Sequence, residues 1–266
     1  MSVLGDTMPA SLAAYYRYFD AGRLDDAVRN FSDDALYAVP APTGSETDPR
    51  LQIHGRSALL TSLKMRGPRA YVHEPLVCVR DGSSCLLEAA WCDRTSGRAV
   101  ASFVTSLQLD ADGLIERCLA YLCAPAVEAP ATEENEYIQV ADAMTVVERY
   151  FAALDAGAFI DAAACFSADV VYSHPPYRHT GIDGSERVQF DGRVALLEAF
   201  KTRGHQSFAH RVLASAQRGA RCIFEGIVEG LPGDETGSFI SSLTLDPEGR
   251  IQRYLSFYCE PSVPRR

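Results

Sequence analysis

The chain has 266 residues, 25 basic and 35 acidic side chains, a formal net charge of −10 and 47% hydrophobic residues. That composition excludes disorder, collagen and coiled coil. No run approaches the ~18 apolar residues of a membrane span, and so acidic a chain neither coats a phosphate backbone nor adheres to an anionic bilayer. At roughly 100–200 residues per domain, one or two domains are expected. The eight cysteines form no CxxC pair and read as buried, reduced thiols of a cytoplasmic protein, as does an N-terminus lacking a secretion pattern. No metal-ligand spacing and no cofactor fingerprint is present, so neither a metal nor a cofactor is expected.

From the N-terminus, Leu12, Tyr15, Tyr16 and Phe19 mark one face of a helix stopped by Gly22, and Leu24, Ala27, Val28 and Phe31 mark a short second helix. A brief strand follows over Ala35–Val39, then a loop of about 15 residues, then a third helix over Arg56–Met65. Three or four strands joined at Asp81-Gly82 and Asp112-Gly113 complete the half. The same order then recurs. Val147, Tyr150, Phe151 and Leu154 repeat the first helix and Gly157 its stop. Val170–His174 repeats the strand, and Arg193–Thr202 repeats the third helix.

The recurrence is a tandem duplication. DAGRLDDAVRNFSDDALYAVP (20–40) and DAGAFIDAAACFSADVVYSHP (155–175) share ten of 21 positions at an offset of 135. Residues 55–67 align with 192–204, His73 with His210, Glu88 with Glu225, and 102–113 with 238–249. Residues 1–126 and 140–266 are therefore read as two copies of one domain, with 127–139 as the linker. Helices followed by strands make the class α+β, a sheet curling around three helices with room for a ligand.

The segments YFAALDAGAF, FSADVVYSHPP, DGRVALLEAF and SLTLDPEGRI resemble the SnoaL-like branch of the nuclear-transport-factor-2-like superfamily, twice over. The resemblance implies two tandem cystatin/NTF2-like cone folds. It also implies a cofactor-independent isomerase, cyclase or hydratase acting on a small hydrophobic carbonyl compound. A non-catalytic binding or dimerisation module is the alternative, and an epoxide hydrolase-like enzyme ranks lower. The ketosteroid isomerase motif, carried over, places its tyrosine at Tyr150 and Tyr15, its base at His174 but Val39, and its acid at Ser241 but Thr105. The second copy is thus the candidate active pocket, with catalytic residues His174, Tyr150 and Ser241, and the first its degenerate partner. The resemblance also implies pairing of the two domains within the chain, with further self-association open.

Hairpin spacing about Asp81-Gly82 and Arg218-Gly219 makes His73/Glu88 and His210/Glu225 diagonal neighbours on one sheet face, an orienting pair or a structural contact. Tyr172, Phe224, Tyr177 and Trp91 either line the cavities or fill the cores. Tyr172, His210, Glu225, Phe224, Tyr15 and His73 are the expected substrate-binding residues. The repeated Lys64-x-Arg66 and Lys201-x-Arg203 complement helix dipoles, an anionic ligand being the alternative.

Overall fold

Among the described residues, six helices and twelve strands follow one another in two rounds of the same order. The computed structural model describes residues 8–40, 50–67, 69–123, 142–174, 188–231 and 236–259. The chain divides into two units, Met1–Val127 and Glu128–Arg266. The expected linker 127–139 and Tyr177 lie outside the described residues.

In the first unit, α1 (Ala10–Asp20) and α2 (Leu24–Val28) precede β1 (Phe31–Pro40), β2 (Arg50–His54), α3 (Arg56–Met65), β3 (Tyr71–Asp81), β4 (Ser84–Asp93), β5 (Ala99–Leu109) and β6 (Ile115–Cys123). In the second, α4 (Ala143–Asp155) and α5 (Phe159–Ala164) precede β7 (Phe166–His174), β8 (Val188–Asp191), α6 (Arg193–Arg203), β9 (Ala209–Arg218), β10 (Arg221–Glu229), β11 (Gly237–Leu245) and β12 (Ile251–Cys259). The sheets run β2-β1-β6-β5-β4-β3 and β8-β7-β12-β11-β10-β9. The class is α+β, in tandem. β1 with β6, and β7 with β12, pair in parallel, and every other pairing is antiparallel.

Each first helix forms because its apolar residues recur on one face. α4 buries Val146, Val147, Tyr150, Phe151 and Leu154, and the Asp142 carboxylate caps it by accepting the Met144 N–H at 3.1 Å. α1 buries Leu12, Tyr15 and Tyr16 on the same pattern. Both helices stop where a glycine takes positive φ, Gly22 at 73° and Gly157 at 72°. One core gathers under α1–α3, with Phe31, Leu59, Leu63, Leu87 and Phe103. The other gathers under α4–α6, with Phe166, Leu196, Phe200, Phe224 and Leu243.

Two sequence expectations change. The region read as one long loop contains a strand in each unit, because β2 and β8 fold back on β1 and β7 (Tyr37 opposite Ile53, Tyr172 opposite Phe190). These are short edge strands, and the alternation they carry, Leu51 and Ile53 in one and Val188 and Phe190 in the other, spans too few residues to mark a strand by itself. The hairpin register also shifts. Beyond the turn, Val77 faces Glu88 and Ala214 faces Glu225, but a bulge at Leu76 and at Leu213 then sets His73 opposite Trp91 and His210 opposite Val228. One extra residue turns the rest of a strand over. His73 and His210 therefore face the helices, while Glu88 and Glu225 lie on the other side of their sheets.

Candidate functional site

In the second unit the helix-facing side of the sheet collects the polar groups. Tyr150 hangs from α4 and is 1% exposed, and its hydroxyl lies 3.1 Å from that of Tyr172 on β7. Tyr172 stacks flat on Tyr254 of β12, ring centroids 4.9 Å apart at 7°, which β7–β12 pairing dictates because the two residues are register partners. His174 follows two residues along β7 on the same face, its ring 5.7 Å from Tyr172 and 6.2 Å from Phe190. Ser241 on β11 lies 3.1 Å from the Tyr254 hydroxyl and donates to the Ser256 hydroxyl at 3.0 Å. Phe224 faces Ser241 across β10–β11 and belongs to the same core.

A second imidazole faces the helices from β9. His210 stacks on Phe151 of α4, 4.5 Å at 4°, and packs against Phe208 and Phe239. Asp155, the last residue of α4, accepts the His210 backbone N–H at 2.8 Å and lies 2.6 Å from Nδ1. An ionised carboxylate has no proton to give, so beside it Nδ1 is the donor, and in a neutral imidazole that leaves the lone pair on Nε2. His205 touches the Asp155 carbonyl at 2.9 Å. Close backbone approach under this pair requires Gly226, because a Cβ there would meet Phe239 Cζ at 2.3 Å and the Arg211 carbonyl at 2.6 Å.

The first unit keeps part of this arrangement. Asp20 ends α1 and holds His73 the same way, at 3.0 Å to the backbone N–H and 2.7 Å to Nδ1, with His73 stacked on Tyr16 at 4.6 Å and 13°. Burial pushes the hydroxyls of Tyr15 and Tyr37 above the ordinary phenol range, so both are neutral donors near neutral pH. What is missing is the rest. Val39 replaces His174, Thr105 replaces Ser241, Cys118 replaces Tyr254 and Ala120 replaces Ser256.

Tyr150, Tyr172, His174, Ser241, Phe224 and His210 thus share one sheet face or the helix above it, as Tyr15 and His73 do in the first unit. Glu225 does not join them. It is buried on the opposite face, between Ala214 and Ile240. Sequence reasoning missed Asp155, Tyr254 and Ser256. Asp20/Asp155 was visible as an identical pair in the repeat, whereas Tyr254 and Ser256 have no counterpart in the first copy to draw attention to them.

No protein-family model and no curated protein matches this chain. Solved structures do. A provisionally assigned ketosteroid isomerase from Kribbella flavida is 22% identical over 47% of this chain and 82% of its own, with a TM-score of 0.35. An NTF-2 like protein of unknown function from Burkholderia xenovorans is 20% identical over 50% and 93%, at 0.35. An LEH-like epoxide hydrolase of M. tuberculosis is 18% identical over 44% and 82%, at 0.34. Each covers half of this chain or less.

Proposed function

We propose that the second unit is a cofactor-independent proton-transfer enzyme acting on a small hydrophobic carbonyl compound. The observation that carries this is the meeting of a base and a donor pair on one buried face, His174 5.7 Å in ring distance from Tyr172, whose hydroxyl pairs with that of Tyr150 at 3.1 Å. Neutral imidazole ionises near pH 6.5 and is an effective base at working pH. His174 removes a proton from the carbon next to the carbonyl, and the electron pair moves onto the carbonyl oxygen. Of the paired hydroxyls of Tyr150 and Tyr172, one donates to the other and the second donates to that oxygen, where hydrogen bonds in an apolar site count for most. Returning the proton to a different carbon isomerises the substrate with no net change in atoms or charge. The Tyr254–Ser241–Ser256 chain adds hydroxyl groups beside the stacked tyrosines.

A second reading assigns the base to His210, favoured by Asp155 fixing its tautomer at 2.6 Å. The test is exchange of α-protons into deuterated water for a panel of hydrophobic ketones, followed by mass. His174→Ala is expected to lower the rate by about 10²–10⁴-fold. A rate unchanged by His174→Ala and lost in His210→Ala moves the base to His210. Tight ketone binding with no exchange in the unaltered protein sinks the enzyme and leaves a binding module.

A further inference from the structure

Around His73 the first unit carries packing that the second lacks. Trp91 stacks on Tyr71 with centroids 4.1 Å apart at 14° and packs against His73 and Phe103. Arg69 donates from Nη1 to the Tyr71 hydroxyl at 2.6 Å, and its guanidinium stands 5.5 Å from that ring. Arg94 ties the corner together, donating to the carbonyls of Asp20 and Arg69. The second unit has Val228, Phe208, Gln206 and Leu231 in the places of Trp91, Tyr71, Arg69 and Arg94, so the Trp91 stack and the Arg69 and Arg94 hydrogen bonds belong to the first unit alone.

Two buried donors of the residues that touch Tyr71 have no hydrogen-bond partner among the described residues, Trp91 Nε1 and Arg69 Nε. A buried donor left unpaired loses the hydrogen bond it made to water, and no ion pair to a carboxylate of a described residue neutralises Arg69. The nearby Asp20 carboxylate is already engaged by the His73 N–H groups. A ligand that satisfies both donors and the charge is an anion with two acceptor oxygens, and one that matches the Tyr71–Trp91 wall carries a ring. We propose that the first unit binds a small aromatic carboxylate through Arg69 and Trp91. Val39 stands where the other unit has His174, so the ligand is held and not turned over. This proposal stands apart from the proton-transfer reading of the second unit.

Trp91 is the single tryptophan of the chain, so indole emission reports on this unit alone. The full-length protein is titrated with benzoate and, in parallel, with benzamide, its neutral isostere. Benzoate is expected to change Trp91 emission saturably and to bind at least about tenfold more tightly than benzamide. Arg69→Gln is expected to weaken benzoate about tenfold, and His174→Ala to leave the titration unchanged. No saturable response, an equal response to benzamide, or indifference to Arg69→Gln overturns the proposal. Loss of the response in His174→Ala overturns its placement in the first unit. The benzoate–benzamide comparison uses the unaltered protein and does not depend on any variant folding.

Discussion

Asp155 grips His210 with both carboxylate oxygens, one 2.6 Å from the ring Nδ1 and the other 2.8 Å from the backbone nitrogen. The contact joins the end of α4 to the start of β9 and fixes the imidazole in one tautomer. Asp20 does the same to His73, so the grip is part of the fold, present whether or not the unit holds a base at the His174 position.

Asp155→Asn separates the two duties. An amide keeps one acceptor and adds a donor, so it cannot serve both nitrogens, and charge-assisted bonds are among the stronger ones. Both Asp155→Asn and Asp20→Asn are expected to lose about 1–3 kcal/mol in denaturant titrations. Only Asp155→Asn is expected to alter the pH profile of α-proton exchange, because only its imidazole shares a face with Tyr150 and His174. Matched shifts in both variants would leave the grip purely structural.

His174→Ala and Val39→Ala test the asymmetry of the duplication. Residues at the same place in the repeat differ in kind, an imidazole against an isopropyl group that takes no proton. His174→Ala is expected to cost about 10²–10⁴-fold in exchange rate at unchanged thermal midpoint. Val39, half-buried beside its core, is expected to lose about 1 kcal/mol of stability as alanine with no change in rate. Equal loss of rate from both substitutions ends the distinction between the units.

Much of this was legible before any coordinates. The duplication and the helix faces of Tyr15 and Tyr150 follow from residue spacing, because periodicity and repeats are read directly along the chain, whereas His174 was singled out only by a family resemblance. The His–Glu pairing was not, since one bulged residue at Leu213 reverses the face of His210 and nothing in LASAQ marks it. The edge strands β2 and β8 escaped because their alternation, Leu51 with Ile53 and Val188 with Phe190, covers only four or five residues at the end of a long connection. Asp155 escaped because its partner lies 55 residues away.

Gly226→Ala probes the bulge. The ring of Phe239 and the Arg211 carbonyl occupy the space a Cβ needs, at 2.3 and 2.6 Å. Phe239 packs on His210 with centroids 5.8 Å apart, so any yielding moves the imidazole. The first unit carries Ala89 there without difficulty. The added methyl is expected to destabilise by about 1–3 kcal/mol and to slow exchange further than Asp155→Asn. A variant as stable as the parent means Phe239 swings clear and Arg211 shifts, which displaced chemical shifts of His210 would reveal.

The buried thiols set an alkaline limit. Desolvation pushes Cys118 and Cys222 up to about 12, while an unfolded thiol ionises near ~8.5. Below that value both states keep the proton and the stability is intact. Between roughly 8.5 and 12 only the unfolded chain releases it, so stability falls as pH rises by up to about 1.4 kcal/mol per pH unit and thiol. Urea midpoints are expected to drop steadily above pH ~9, and Cys222→Ala to flatten that decline by the share of one thiol. The same burial predicts that iodoacetamide labels neither cysteine in the native protein, because the thiolate is the nucleophile and is not formed. Rapid native labelling of Cys222, or a midpoint indifferent to pH across that window, would show the sulfur to be solvated.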